Sequence, residues 1–433
     1  RIQFIYDNEY DDATLTSNPK TFRLEGKLGG ADYVPLLEAS LPLNRNEYVA
    51  HFLDFDNEVF YDHYRLVFLE TYGDPAVYIA EVQLYGRAEL ELPVRYVKVG
   101  GTGKGTSWED ASGDLQAVIY KIGVNEVWVA EGNYITTMNG LRMKNGVAIL
   151  GGFPNSGNPD LSNRDWELHP TILDGEGNRS VIYNWFFEND PLTASAVLDG
   201  FTITNGQNHT GGGIHNHYAS PTLENLVIRL NKAYNSGAGI YNRYSSAILK
   251  NVSIRENESD YEGGGISNTE SAIQLINTTI SGNYAGSRGG GIHNDIGTNI
   301  ATNIVISGNV SYQGSGIYNS NRSTLWLTNA TVSGNRAEEN SVIYNQEEDG
   351  QKPVMHIRNS IIYGNSDGIN NLEDVKSNIY YSLVQGLMEN IQSNIAEVDP
   401  NFEEMIDFND APFADGDYHL SPVSSVAINK GNA

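Results

Sequence analysis

The sequence predicts an all-β protein dominated by a parallel β-helix, a solenoid of about 26 residues per coil, and three observations predict it. A six-residue motif recurs as GGGIHN (211–216), GAGIYN (237–242), GGGISN (263–268), GGGIHN (289–294), GSGIYN (314–319) and NSVIYN (340–345). Its isoleucines, Ile214, Ile240, Ile266, Ile292, Ile317 and Ile343, are spaced by 26, 26, 26, 25 and 26 residues. Each period also holds a second string, from LENLVIRLN (223–231) to IRNSIIYGN (357–365), a short β-branched run bounded by Gly and Asn that reads as strand. Asparagines then fall into three columns, headed by Asn216, Asn225 and Asn231 and repeating to Asn345, Asn359 and Asn365. The period is too short for a four-stranded propeller blade. It fits one coil, with equivalent strands stacked at about 4.8 Å.

Taken in chain order, residues 1–87 lack the period and are rich in Tyr and Phe, which sets them apart as a separate domain. AELELPV (88–94) is the expected junction, and 95–433 the β-helix. Residues 112–122 carry an amphipathic pattern and predict a helix capping the open end of the solenoid, which otherwise exposes an edge and an apolar interior. NEVWVAEGNY (125–134) and GVAILGGF (146–153) read as strands. RSVIYN (179–184) is an early copy of the motif, offset from the next by an insertion containing WFFENDP. Within the coils, Asn tolerates the left-handed backbone of a tight corner and can bond the identical amide one coil away. Glycine meets the same corners where positive φ and close backbone approach exclude Cβ. A phosphate-cradling loop would need a following helix and a Lys-Ser/Thr pair, which the motif lacks.

The chain of 433 residues is too long for one compact core. Its 54 acidic and 27 basic side chains give a formal charge of −27, a field that repels nucleic acid and anionic membranes. An acidic substrate would need a local basic patch. Hydrophobic residues make up 39% of the chain but lie in short runs, so no transmembrane segment is expected. The absence of cysteine excludes disulfides, thiolate metal sites and a cysteine nucleophile. The chain begins at Arg1 without a start methionine or signal peptide, so it is expected to be processed or truncated.

RYVKVGGTGKGTSWEDASGDLQAVI, VWVAEGNY, AILGGF, RDWELHPTILDG and LDGFTITNG resemble the opening of bacterial secreted right-handed β-helix proteins. The repeat GGGIxN…SGN is similar to that of polymorphic outer-membrane and autotransporter-passenger proteins, and the tail DPNFEE…DGDYHLSPVSSVAINKGN (399–432) resembles their ending. This resemblance, over about 340 residues, implies the right-handed fold and export to a cell surface, but not an activity. In the front domain, NPKTFRLEGK (18–27) and YRLVFLETYGDPAVYIAEVQLYGR (64–87) resemble the C-terminal part of a discoidin (coagulation factor 5/8 type C-like) domain. That implies a small β-sandwich or jelly roll, incomplete here, of a kind that often binds carbohydrate.

No nucleophile elbow, zinc helix or calcium-binding helix-loop motif is present. His215 and His217 alternate along one strand, but no carboxylate column joins them, so no metal is expected. Ca²⁺ is the one cofactor the acidic loops could hold, at Glu258/Asp260/Glu262 or at Glu338/Glu339 with Glu347/Glu348/Asp349, though solvated loop charge explains them as well. The carboxylate and basic sets of polysaccharide-cleaving β-helices are missing from the repeat, and its arginines are scattered.

One column carries the functional expectation. If Ile points inward, the residue after it points outward by strand alternation. That column reads Tyr183, His215, Tyr241, Ser267, His293, Tyr318, Tyr344. Its aromatics suit stacking on sugar rings, with the loop residues Tyr218, Tyr234, Tyr244, Tyr261, Tyr284 and Tyr312 beside it. The competing expectation is a ladder of rings packed only on each other. The expected function is non-catalytic binding of an extracellular or host glycan by a secreted or surface-anchored, adhesin-like monomer. The alternatives are a polysaccharide lyase or glycosidase, and the stalk of a surface protease or adhesin.

Overall fold

The computed structural model describes residues 2–5, 19–27, 32–41, 50–53, 63–73, 81–84, 93–339, 341–347, 350–370, 376–386, 394 and 398–421. The chain divides into two compact units, Arg1–Leu92 and Pro93–Ala433.

In the first unit, Ile2–Ile5 lies between Ala50–Leu53 and Glu81–Leu84 in one antiparallel sheet. Pro19–Lys27 lies between Val34–Ser40 and His63–Thr71 in another. Ile2 and Leu53 from one sheet meet Phe22, Leu24, Leu66 and Phe68 from the other in a shared apolar core. The two sheets form a small β-sandwich.

The second unit begins inside the expected junction. The Pro93 carbonyl accepts from the backbone N–H of Asn125 and Glu126 at 2.9 and 2.8 Å, and Val94 pairs with Glu126 in parallel register. Residues 88–92 of that junction lie outside the described residues. The capping helix is shorter than the pattern predicted, Leu115–Ile119. Ser112 is held upstream by bridges to Val97 and Thr102, the Asp114 carboxylate caps the Ala117 N–H at 2.9 Å, and the chain reverses through Gly123 at φ 78°. Leu115, Val118 and Ile119 are buried in the same core as Val97 of the first solenoid strand.

From there the chain winds as a right-handed parallel solenoid of about ten turns. The motif isoleucines stack in one register, Ile182, Ile214, Ile240, Ile266, Ile292, Ile317 and Ile343. The second string stacks as Leu223, Leu249, Leu275, Ala301, Leu327 and Ile357. Six short strands, from Gln207–Thr210 to Arg336–Ala337, form a third face. These isoleucines and leucines are almost wholly sequestered from solvent and form one continuous core.

The three asparagine columns differ in mechanism. Only the second, Asn225, Asn251, Asn277, Asn303, Asn329 and Asn359, takes the left-handed backbone, with φ between 51° and 55°. The first is a buried ladder inside the strands. Asn184 donates to Asn216, which donates to Asn242, and so on through Asn268, Asn294 and Asn319 to Asn345, at 2.9–3.0 Å. The third, Asn231 to Asn365, sits just past a corner, and its amides bond both the next Asn and a carbonyl of the coil before. The expectation that all three columns are left-handed corners is corrected for two of them. An extended Asn inside a strand can hydrogen-bond its copy one coil away as readily as a left-handed one.

The corner before the third column is left-handed in every coil. It is held by Gly282, Gly308 and Gly334 downstream but by Leu230 and Glu256 upstream. The difference follows the C-terminal segment, where Phe402–Glu404 pairs antiparallel with Asp417–Leu420. Phe413 lies directly on the glycine corners, its N–H donating to the Gly308 carbonyl at 3.2 Å. A Cβ at Gly308 would lie 2.2 Å from the Phe413 carbonyl oxygen. Residues 422–433, which carry the rest of the tail motif, lie outside the described residues.

Two stability outcomes follow. Asn268→Ala orphans a buried donor on Asn242 and a buried acceptor on Asn294, and lowers unfolding free energy by about 2–4 kcal/mol in urea titrations followed by circular dichroism. Leu230→Gly relieves a left-handed, half-exposed residue, and raises stability by about 0.5–1 kcal/mol in the same assay.

Candidate functional site

The step from Asn184 to Asn216 in the buried ladder is 32 residues, against 26 in most coils. The surplus is the aromatic insertion. After the strand Ile182–Trp185, the chain turns back on itself, with Phe187 bridged to Asp190, and rejoins the coil where the Leu192 N–H donates to the Tyr218 carbonyl at 3.1 Å. The turn leaves Trp185 42% and Phe187 65% exposed. Trp185 is not loose. Its ring stacks on His217 with centroids 4.2 Å apart, and Arg142 Nη2 donates to its carbonyl at 3.0 Å. The Arg142 guanidinium also lies 4.3 Å over the Phe186 ring.

The capping helix supplies the opposite wall. The Gln116 side chain clasps the Arg142 backbone, with Oε1 accepting from its N–H at 2.7 Å and Nε2 donating to its carbonyl at 3.1 Å. Tyr120 donates to the Met143 carbonyl at 3.1 Å. Gln116, Tyr120, Arg142, Tyr183, Trp185 and Phe187 thus line an open cleft of about 750 Å³. Gln116 and Thr137 are shared with a second cavity of about 470 Å³, so the depression continues toward Asn133 and Ile135. Burial raises the Tyr120 and Tyr183 phenols above their ordinary range, so both remain neutral donors.

Of the column expected to face outward, only Tyr183 reaches this cleft. His215 and His293 are buried, Tyr318 is wholly so, and Tyr241 and Tyr344 are half-buried. The expectation of an open stripe is corrected. The rings form two stacks, Tyr183–His215–Tyr241 and His293–Tyr318–Tyr344, with centroids 4.7–5.4 Å apart and Ser267 between them. Strand alternation does aim them away from the core, but the first glycine of each motif folds the preceding chain against them. A Cβ at Gly211, Gly237 or Gly314 would lie 2.7–2.9 Å from the Cβ of His215, Tyr241 or Tyr318. Thr210 Oγ1 sits 3.1 Å from His215 Nδ1, the Arg288 guanidinium 5.1 Å from the Tyr318 ring, and Gln346 accepts from the Tyr318 hydroxyl.

The remaining candidates divide in the same way. Tyr218 and Tyr244 stack on each other at 4.7 Å, and Tyr234, Tyr261, Tyr284 and Tyr312 are exposed along the third face. Both His215 and His217 stack on Trp185. Glu258 pairs with Lys232, Glu262 with Arg288 and Glu347 with Lys352, while Glu348 and Asp349 lie outside the described residues. Among the described residues, no group of three or more His, Asp or Glu is placed to hold a metal ion, and no helix is long and apolar enough to cross a membrane. The periodicity of the sequence does not point to Trp185, Phe187, Tyr120 or Arg142; the WFFENDP insertion signals the first two, and nothing local signals the others. Compared with known proteins, the chain matches no family model, no curated protein and no solved structure.

Burial holds the His215 imidazole down at about 4, against its hydrogen bond to Thr210. The unfolded chain therefore takes up a proton, near pH 6.5, that the folded chain refuses. Stability is full above that pH and is lost as pH falls toward 4. Urea midpoints measured from pH 7 to 4.5 decline for the wild type. His215→Phe, which keeps the stack without the titration, removes about 2–3 kcal/mol of that decline.

Proposed function

We propose that the protein is a non-catalytic, exported, adhesin-like glycan-binding protein whose sugar site is the cleft between the capping helix and the Trp185–Phe187 turn. One observation carries this reading. Exposed aromatic faces of Trp185 and Phe187 converge with Tyr183, Tyr120, Gln116 and Arg142 on a single open cleft. Sugar rings present apolar C–H faces that stack on such rings and hydroxyls that bond the polar groups between them. Supports beneath the cleft are rigid: His217 under Trp185, Gln116 on the Arg142 backbone and the ladder at Asn184. The opening and the neighbouring cavity leave room for more than one ring of a chain. The front unit is proposed to be the C-terminal part of a discoidin-like module, on the strength of its two packed antiparallel sheets and the motifs at 18–27 and 64–87.

A glycan array probed with the wild type, followed by titration calorimetry on the best ligand, tests the site. Trp185→Ala and Phe187→Ala each weaken binding about tenfold or more, from lost stacking and buried area. Trp326→Ala, an exposed indole stacked on His356 in a distant coil, leaves binding unchanged. Equal loss in all three, or in none, removes the cleft from consideration.

A further inference from the structure

Several cations of the solenoid rest on carboxylates. Lys232 sits on Glu258, Lys250 on Glu224, Arg164 on Asp199 and Arg179 on Glu176, all at 2.7–3.0 Å. Such pairing is natural in a chain where acidic groups outnumber basic ones by 54 to 27. At the Tyr120–Arg142 wall of the cleft the cations are not so paired. Among the described residues, Lys121, Arg142 and Lys144 have no carboxylate partner. They are held by neutral groups instead. Lys121 Nζ donates to the Lys104 carbonyl at 2.8 Å, Lys144 Nζ to the Lys121 carbonyl at 3.3 Å, and Arg142 Nη2 to the Trp185 carbonyl. The Lys144 ammonium also lies 5.9 Å from the centre of the Tyr120 ring, which places it at the cleft margin. Of the acidic groups flanking these elements, Asp114 caps the helix, while Glu188 and Asp190 are exposed on the Trp185–Phe187 turn and, among the described residues, none of them pairs with these cations.

Cations without a carboxylate partner leave a local positive field at this wall that a bound anion would neutralise. Each still has N–H groups to offer, since an ammonium carries three and a guanidinium five. We propose that the cleft selects anionic glycans, chains whose rings carry carboxylate or sulfate groups. The ring stacks on Trp185 and Phe187 while Arg142 bonds the acidic group, and Lys121 and Lys144 extend the positive field along the wall. This inference rests on the glycan-binding reading above. It also accounts for how a chain of net charge −27 recruits an acidic polymer: through a local patch that the overall field does not provide.

The test is calorimetry on the full chain with three probes: an oligogalacturonate, the same oligomer with its carboxyls reduced to alcohols, and a heparin oligosaccharide. The expected result is that at least one acidic probe binds about tenfold or more tightly than the reduced oligomer, and that added NaCl erodes this margin. Comparing the uronate with the sulfated probe tells which anion the site takes. Arg142→Gln weakens the acidic probe far more than the reduced oligomer and so removes most of the margin, and Lys121→Gln with Lys144→Gln lowers it several-fold. Lys250→Gln, on another face, preserves it. Equal affinity for acidic and reduced chains, or a margin that survives both sets of variants, overturns the anionic selectivity. The glycan reading then still stands if Trp185→Ala abolishes binding of the reduced oligomer. Failure of the wild type to bind any glycan on the array overturns both.

Discussion

The structure depends on one chain of buried amides. From Asn184 to Asn345 each side chain donates to the next copy one coil along, inside the strands and out of reach of water. A buried primary amide without a partner is expensive, so every rung requires the next one in register. The isoleucine two residues earlier is thereby stacked on its own copy, and the core becomes continuous. What the ladder constrains is the register at one face. It leaves the length of chain elsewhere in the coil open.

That freedom is where the molecule acquires its features. The step is 25 residues from Asn294 to Asn319 with no break in the ladder. In the third asparagine column it is 30 from Asn335 to Asn365, the surplus passing into the loop before Val354. The step of 32 after Asn184 builds the Trp185–Phe187 turn, which faces the capping helix across the cleft. A rigid repeat thus carries an irregular cleft at its first coils, the arrangement that places a binding site on a scaffold without disturbing its packing.

Glycine serves two separate ends in the same coil. At the start of the motif its missing Cβ lets the chain close over the His and Tyr column, converting an outward face into stacked rings of which His215, His293 and Tyr318 are buried. At the SGN corner it meets positive φ and also the returning C-terminal segment, through Phe413. Where that segment does not reach, Leu230 and Glu256 occupy the same corner and carry the backbone strain themselves.

The period, the strands, the parallel stacking and the asparagine columns were legible in the sequence because each coil repeats one local solution, and local geometry is written in residue type. Ile214 to Ile343 points inward for a reason that alternation alone supplies. Whether His215 or Tyr318 meets solvent was not legible, because it turns on how a glycine four residues earlier folds the chain beside it. The cleft was less legible still: Tyr120, Arg142 and Trp185 lie on three segments that together span more than sixty residues and repeat nothing. The sequence by itself determined the solenoid, since its interactions run between identical positions one coil apart. Only the tertiary structure decided the site, since its residues become neighbours through an insertion and a capping helix that no periodicity relates.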